Sequence, residues 1–407
     1  MNRERVKIAY ILGKYPVYSE NFIYRELIAL QKLNAAPYII ALRKENGTGY
    51  GSRIDLLGER YFFPRLIPLT ILLNLFWFCR RPVRYLRIII MIFVQLKNYS
   101  ISTVFKQFIL LFSAAGFYHL IKREKIKYVH AHLSNGSSIA LFCNLLADQS
   151  YSFTLHAFDD LYSNAIFLKE KVKHAKKVMC ESRYNETYLK NAVAKEYHSK
   201  IITIYSGIKI YENYIQKKWN LPIRILSIGR LTAHKGFITL IESLKLLRER
   251  NAEFEAQIVG EGSQHNELIQ TIDKNNLAEN VFLIGAKSYN EIEKMYMSAD
   301  IFVLPSQIQH NGERDGLPNV LIEAMSFKLP VISTYVSAIP ELIEDKESGM
   351  LVPERNPAAL FNAIFYLIQN EEEAGKIALR GYEIVKKHFN IANTSKELYD
   401  AIITSES

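Results

Sequence analysis

The chain has 407 residues, of which 49% are hydrophobic and 23% are charged, and its formal net charge is +10. This length is typical of two or three domains, and the composition excludes a disordered or collagen-like chain. The three cysteines show no CxxC or metal-ligand spacing, which excludes a disulfide framework and indicates a reducing compartment. No small-residue cleavage site follows the first apolar run, so we expect no secretory signal peptide.

The charge is unevenly distributed along the chain. Residues 1–210 contain 31 Lys/Arg and 14 Asp/Glu, a balance of +17, whereas the rest of the chain has a balance of −7. This asymmetry predicts that the first half meets an anionic partner. Its basic residues are interleaved with long aliphatic runs, unlike a base-stacking platform, so a membrane is favoured over nucleic acid.

Short apolar runs alternate with helical patterns in the first half. Five of these runs are typical of buried strands, and an amphipathic helix is predicted at 22–33. The predicted strands cover residues 7–13, 37–42, 128–133, 150–157 and 201–207.

An acid-free segment runs from Arg60 to Arg123 and contains ten Lys/Arg. Its three apolar runs, 66–79, 88–96 and 108–120, are shorter than the ~20 residues that a spanning helix needs. We predict helices that lie in the membrane interface, with buried core helices as the alternative. The predicted membrane contacts are Phe76, Trp77, Arg80, Arg81, Arg84 and Arg87.

A second series of strands and helices follows a polar, aromatic linker at 211–222. Alternating short apolar strands and helices predict parallel sheets covered on both faces. We therefore predict an α/β protein with two doubly wound, Rossmann-like domains facing a cleft, at 1–210 and 223–385, and a C-terminal helix at 386–407 that packs back toward the first domain. The predicted strands of the second series cover 223–229, 254–262, 280–286, 299–306 and 329–334, with a helix near 236–250.

The loop GRLTAHKG, residues 229–236, follows a predicted strand and opens a helix. Free backbone N–H groups and the helix dipole favour anions at such a position. Arg230 and Lys235 add two cations, which together suit a diphosphate leaving group without a metal. Ordinary surface charges on a strand–helix loop are the alternative for this motif taken alone.

The segment DGLPNVLIEAM, residues 315–325, follows the strand ADIFVLPS. Pro318 is expected in the first turn of a helix, which leaves the N–H groups of Gly316 and Leu317 free for an oxyanion or sugar hydroxyls. Asp315 and Glu323 are eight residues apart and could face one ligand at the carboxyl edge of the sheet. A solvated carboxylate and a helix-internal Glu are the alternative.

Taken together, these motifs resemble the family 4 retaining glycosyltransferases of the GT-B fold. The resemblance covers residues 223 to about 353 in order and spacing. The first half resembles the bacterial exopolysaccharide enzymes of the colanic-acid type, in YPVYSENFIYREL, HAHL and FTLHAFDDLY.

The resemblance implies roles for individual residues. Arg230 and Lys235 match the pair that binds the donor diphosphate, with Gly229 in the same loop. Asp315 and Glu323 match the two carboxylates of the family's E-x7-E signature, the first near the transferred sugar and the second on the nucleotide ribose. Further implied contacts are Gly316, Leu317 and Pro318 for the donor, His156 for the donor sugar, and Tyr15, Ser19, Glu20 and Asp159 on the acceptor side.

The sequence also departs from the family pattern. Asp315 stands where the signature has Glu and reaches about one bond less, so Glu313 is a candidate to share its role. No D-x-D motif is present, which agrees with charge stabilisation by Arg230 and Lys235 and with a site that needs no metal. His130 and His132 share a strand face, but no third zinc ligand is evident from the sequence, and a structural role is favoured.

The implied activity is a metal-independent, retaining transfer of a sugar from a UDP- or GDP-linked donor, with no cofactor, to a polyprenyl-linked saccharide. The expected location is the inner face of a bacterial cell membrane, on an anionic surface, in exopolysaccharide, capsule or O-antigen synthesis. The alternatives are a sugar-nucleotide epimerase or phosphorylase of the same fold and a catalytically inactive membrane-bound scaffold. An epimerase would convert the donor without an acceptor, and a scaffold would bind the donor without turnover.

Overall fold

The computed structural model describes residues 5–17, 20–44, 60–63, 67–156, 161–162, 165–212 and 218–404. The chain divides into two compact units. The first unit comprises residues 1–181, 185–205 and 392–407, and the second comprises 182–184 and 206–391.

The first unit is built on a seven-stranded parallel sheet with the order β3-β2-β1-β4-β5-β6-β7. Its strands are β1 Val6–Tyr15, β2 Ala35–Lys44, β3 Arg60–Phe62, β4 Tyr128–His132, β5 Ser152–Leu155, β6 Lys177–Cys180 and β7 Ile201–Thr203. Its helices are α1 Asn21–Lys32, α2 Ile67–Arg80, α3 Pro82–Val94, α4 Ile101–Arg123, α5 Leu133–Ala147, α6 Leu168–His174 and α7 Arg183–Ala192.

The second unit is built on a six-stranded parallel sheet with the order β10-β9-β8-β11-β12-β13. Its strands are β8 Ile223–Ile228, β9 Phe254–Val259, β10 Val281–Gly285, β11 Ile301–Val303, β12 Val331–Thr334 and β13 Met350–Val352. Its helices are α8 Phe237–Glu249, α9 His265–Lys274, α10 Tyr289–Ser298, α11 Asn319–Ser326, α12 Ile339–Leu342, α13 Pro357–Gln369 and α14 Glu371–His388. The last helix of the chain is α15 Ile391–Thr404. Nearly all of α15 belongs to the first unit, from Ala392 onward.

Alternation along β1 explains how the first sheet is covered on both faces. Ile8, Tyr10 and Leu12 pack with buried residues of α1 and with Leu398 and Ile402 of α15. The intervening residues of β1 pack on the opposite face with buried residues of α3, α4 and α5. Each face therefore has its own apolar core, and the Tyr10 face is the one that carries the histidines described below.

The predicted parallel α/β architecture is confirmed, whereas three short strands, β3, β6 and β13, were not predicted as strands. Each has only three or four residues, too few for a periodic apolar pattern.

The third apolar run of the acid-free segment, 108–120, lies within a longer helix. This run is part of α4, a continuous helix of 23 residues, which is the only helix among the described residues long and apolar enough to cross a membrane. However, 61% of its most apolar window is buried inside the protein, as in the core helix of a soluble domain.

Candidate functional site

Two loops of the second unit interlock at the carboxyl edge of its sheet. The loop after β8 donates a backbone hydrogen bond from Leu231 to Glu261, in the loop after β9. Gly260 has a φ of 144°, and a Cβ there would lie 1.9 Å from the carbonyl oxygen of Gly229. Only glycine permits this approach, which fixes the path of the loop that leads to α8.

A charged cluster lies in this edge. Lys235 Nζ is 2.7 Å from Asp315 Oδ1, and the Ser306 hydroxyl donates to Asp315 Oδ2 at 2.6 Å. His234 lies beside them, with Nδ1 3.1 Å from Glu313 Oε1 and Nε2 3.8 Å from Asp315 Oδ1. The side chains of His234, Lys235 and Asp315 are largely buried, so these charges act on one another with little screening by water.

The protonation of the cluster follows from these contacts. Burial favours the neutral form of Asp315, but the charge of Lys235, the neighbouring His234 and hydrogen bonds from Lys235 and Ser306 outweigh it and hold the pKa of Asp315 below its usual value. Burial lowers the pKa of His234, although Asp315 acts in the opposite direction. Asp315 is therefore ionised at neutral pH, and His234 is neutral.

The residues predicted to bind the sugar donor differ in their surroundings at this edge of the sheet. Lys235 is held by Asp315, and a Cβ on Gly229 would meet the carbon chain of Lys235 at 3.3 Å. Arg230 is exposed. Both oxygens of Asp315 are engaged within the protein, which is a different environment from a carboxylate turned toward a sugar. Ser306 and His234 were not predicted as site residues, because nothing in their spacing shows that they converge on Asp315.

The start of α11 presents polar groups beside the cluster. Pro318 is the residue before the helix, one position earlier than expected. The N–H groups of Gly316 and Leu317 donate to no acceptor among the described residues. Within the same part of the chain, the buried Oδ1 of Asn319 has no hydrogen-bond partner. These groups can receive a ligand with both acceptor and donor atoms.

Glu323 lies within α11 and is not paired with Asp315. Its Oε2 accepts a hydrogen bond of 3.1 Å from the hydroxyl of Tyr296, a buried residue of α10. Tyr296 stacks on Phe327 with ring centroids 5.3 Å apart. The carboxylate is therefore held in one direction by a rigid aromatic neighbour.

A row of ionisable groups lies in the first unit, at the carboxyl ends of β4 and β5. His132 Nδ1 is 3.0 Å from His156 Nε2, and His156 Nδ1 is 2.9 Å from Glu181 Oε2. At the other end, His132 Nε2 is 3.1 Å from Glu26 Oε1, which also accepts a 2.7 Å hydrogen bond from the hydroxyl of Tyr10. Both ring nitrogens of His156, the predicted donor-sugar histidine, thus face groups of the protein.

His130 has different partners on the same strand face. Its ring nitrogens lie 2.9 Å from the hydroxyl of Ser152 and 3.0 Å from that of Thr154. Burial, followed by the neighbouring His132 and His156, lowers the pKa of His130 well below its usual value. His130 is therefore neutral.

Glu26, His130 and His132 place possible metal-ligand atoms within 4.8 Å of one another. Glu26 is the third group that the sequence did not reveal, because it lies on α1, more than a hundred residues away. Both nitrogens of His130 already have hydroxyl partners, so this trio does not fit an open ligand set for a metal.

The predicted acceptor-side residues are only partly described. Tyr15 is 3% exposed and belongs to the core beside α1, and its acceptor-side role stays a prediction. Glu20 is half-buried and precedes α1. Ser19 and Asp159 lie outside the described residues.

The helical layer of the first unit has an apolar outer surface. We call the exposed large apolar residues of α2, of α3, of the turn 95–97 that follows α3, and of the first half of α4 the apolar face. Most of the exposed large hydrophobic residues in the described chain belong to it. Its members are Ile67, Leu69, Ile71, Leu72, Leu75, Phe76, Phe78, Val83, Leu86, Ile90, Phe93, Val94, Leu96, Ile101, Phe105 and Ile109.

Helix α2 turns its polar residues inward. Thr70 and Asn74 are buried, and Asn74 Nδ2 donates to the carbonyl oxygens of Thr70 and of Phe112 on α4, at 2.7 and 3.0 Å. A Cβ on Gly116 of α4 would lie 2.5 Å from Thr70 Oγ1, so the two helices approach closely. Polar and small residues between helices, with apolar residues outside, are typical of helices that face lipid.

Three of the six predicted membrane contacts are held by residues outside α2 and α3. Trp77 is only 8% exposed and packs edge-on against Tyr118 of α4, so its prediction as a membrane anchor was wrong. Arg81 and Arg84 each lie 2.6 Å from a carboxylate oxygen of Asp148. Phe76, Arg80 and Arg87 are exposed.

The fold is similar to that of solved glycosyltransferases over nearly the whole chain. A glycosyltransferase from Rickettsia africae ESF-5 has a TM-score of 0.73 at 17% identity, with 99% of both chains covered. Anabaena Alr3699/HepE in complex with UDP-glucose has a TM-score of 0.70 at 16% identity, with 98% of this chain and 100% of that chain covered. At these identities the likeness establishes the fold, and it confirms the predicted GT-B class.

Residues 213–384, which lie in the second unit, match the family described as "Glycosyl transferases group 1". The amylovoran biosynthesis glycosyltransferase AmsK of Erwinia amylovora is 39% identical over 169 residues, 42% of each chain. The putative colanic acid biosynthesis glycosyltransferase WcaL of Escherichia coli K12 is 36% identical over 178 residues, 44% of each chain. The chain thus spans less than half the length of these two relatives, and the predicted resemblance is confirmed for that part.

Proposed function

We propose that this protein is a retaining, metal-independent glycosyltransferase that uses a nucleotide-sugar donor in bacterial exopolysaccharide synthesis. The observation that carries the proposal is the charged cluster around Lys235 and Asp315, with exposed Arg230 in the same loop as Lys235. The cluster lies beside the start of α11, inside the stretch that matches the glycosyltransferase family. The resemblance to AmsK and WcaL supports exopolysaccharide as the product class.

The cluster suits a departing nucleoside diphosphate. Lys235 keeps two of its three N–H bonds for a phosphate while the third remains on Asp315. Exposed Arg230 and the N–H groups of Gly316 and Leu317 supply further donors. Fixed donors of this kind stabilise charge that develops as the sugar–phosphate bond breaks.

We assign Asp315 a positioning role. Its two oxygens are held by Lys235 and Ser306, so it directs the lysine instead of contacting the sugar. Glu323, held by Tyr296, is assigned to the ribose hydroxyls. The transferred sugar develops oxocarbenium character, and the acceptor hydroxyl attacks from the face that the diphosphate leaves, which retains the anomeric configuration. UDP and GDP sugars are the proposed donors, and the donor is a substrate, so no cofactor is proposed.

Equilibrium binding of UDP and GDP by the full-length protein tests the donor assignment. Glu323→Gln should weaken binding of the nucleotide about tenfold or more, whereas Asp315→Asn should mainly lower turnover. Glu267, an acidic residue at the start of α9, gives a control as Glu267→Gln. Binding of neither nucleotide, or equal binding by wild type and Glu323→Gln, would contradict the assignment.

We propose further that the apolar face docks on the inner surface of an anionic cell membrane, where a polyprenyl-linked saccharide serves as the acceptor. Three observations support a bilayer as the occupant: the extent of the face, the inward polar residues of α2, and exposed cations beside it at Arg80 and Arg87. Apolar contact and basic residues near anionic headgroups both favour this surface.

Flotation with lipid vesicles tests the docking. The wild-type protein should float with anionic vesicles and more weakly with neutral ones. A stable dimer in solution that fails to bind vesicles would show that a second copy covers the face instead. Release by neither high salt nor alkaline carbonate would indicate a helix that spans the bilayer.

A further inference from the structure

The row of ionisable groups in the first unit has an unusual hydrogen count. Three contacts join four groups in sequence: Glu26 to His132, His132 to His156, and His156 to Glu181. Each contact needs one hydrogen, because an ionised carboxylate and a bare ring nitrogen can only accept. Two neutral imidazoles carry two ring hydrogens, so the row lacks one.

We propose that Glu26, His132, His156 and Glu181 share one additional proton, held on the histidine pair, and that this proton fixes His156 at the carboxyl edge of the first sheet. Glu26, His132 and Glu181 are then positioning residues for His156. The role in transfer rests on the proposed function, whereas the proton count does not.

The location of the proton on the imidazoles follows from the surrounding groups. An imidazole ordinarily has a pKa about two units above that of a glutamate. The hydroxyl of Tyr10 donates a 2.7 Å hydrogen bond to Glu26. Burial, and then the charge of Glu26, raises the pKa of Tyr10 well above its usual value, so this hydroxyl keeps its proton.

Further ionisable groups contact the row. Tyr10 from β1 donates to Glu26, and the ring of His130 from β4 lies edge-on to that of His132 with centroids 4.8 Å apart. His130 differs from these two histidines, because its partners are the hydroxyls of Ser152 and Thr154. A hydroxyl can donate or accept, so the two contacts of a neutral His130 need no additional proton. Phe22 packs on His156 with ring centroids 4.7 Å apart and excludes water from that side.

The row also predicts a pH dependence with a defined sign. Below the pH at which the shared proton is lost, all three hydrogen bonds are present. Above it, one of the three contacts joins two acceptors, so His156 is no longer held by an unbroken chain of hydrogen bonds. Activity should therefore fall on the alkaline side when the row loses this proton.

Nuclear magnetic resonance of full-length protein labelled with ¹⁵N in the histidine rings counts these protons directly. At pH 7, three of the four ring nitrogens of His132 and His156 should carry hydrogen in the wild type. In Glu26→Leu the contact with His132 is lost and two contacts remain, so two of the four nitrogens should carry hydrogen. Glu170→Gln is the matched control, because Glu170 contacts His174 on the partly exposed α6, and it should leave the count at three.

The pH profile of kcat/KM tests the role in transfer separately. Glu26→Leu should abolish the alkaline fall, because its two remaining contacts need no additional proton, whereas the control Glu170→Gln should keep the wild-type profile. A count of two in the wild type would overturn the shared proton whatever the activity. A count of three with identical pH profiles in all variants would overturn only the positioning role.

Discussion

The two units differ in how they satisfy their ionisable groups and their outer surfaces. In the second unit, Lys235 and Asp315 balance each other directly, and the helices expose few large apolar residues. In the first unit, two carboxylates flank two imidazoles, and α2 and α3 expose apolar residues along most of their length. The family match covers 213–384, which lies entirely within the second unit.

The proposed function divides the work between the units. Binding and breaking of the nucleotide sugar is proposed for the second unit, and docking on a membrane with choice of the acceptor is proposed for the first. Substitutions in one unit should therefore change one property without the other.

The largest effect is expected for Lys235→Ala. The variant removes a preorganised cation and leaves the Asp315 carboxylate buried without its partner, so turnover should fall about 10²-fold or more. Initial rates measure it, with Lys245→Ala, an exposed lysine of α8, as the control. Vesicle binding should not change, and a near-wild-type rate would remove Lys235 from the site.

The next effect is expected for the apolar face. The double variant Leu72→Ser and Phe76→Ser should weaken vesicle binding about tenfold or more, because both residues lose apolar contact with lipid. Leu379→Ser is the control, since Leu379 is 53% exposed in the second unit and Phe76 is 51% exposed. Equal losses in both proteins would mean that exposure alone, and not this surface, determines binding.

A smaller effect is expected for the exposed arginines. Each cation near an anionic surface contributes about 1 kcal/mol, screened by salt. Arg80→Gln with Arg87→Gln should therefore lower binding to anionic vesicles several-fold. Arg81→Gln with Arg84→Gln should do less, because Asp148 already pairs with both. The opposite ranking would show that the Asp148 pairs open at the membrane.

The smallest effect concerns acid stability. The pKa of Asp315 is held below its usual value, so its contribution to stability is complete above about pH 4 and is lost as the pH falls through the folded-state pKa. Asp315→Asn should lower Tm at pH 7 and reduce the further drop in Tm between pH 5 and pH 3. An unchanged pH dependence would show that Asp315 does not stabilise the fold through its charge.

The sequence predicted most of the fold because buried parallel strands have long apolar runs, as in β1. It did not predict β3, β6 and β13, because strands of three or four residues are too short to show a periodic apolar pattern. It identified Lys235 and Asp315 from local motifs but could not show that they pair across 80 residues. Contacts such as Glu26 with His132 depend on which helix covers which sheet face, and periodicity gives only the face of each element. The prediction for Trp77 failed for the same reason, since aromatic character does not reveal which side of α2 is buried.

The most direct test of the central claim is transfer of a labelled sugar from UDP and GDP donors to a bacterial lipid-linked saccharide fraction, in the presence of a chelator. We predict transfer that persists with the chelator, is lost in Lys235→Ala, and yields a product with the anomeric configuration of the donor. Transfer that requires a divalent metal, or a product with the inverted configuration, would contradict the account.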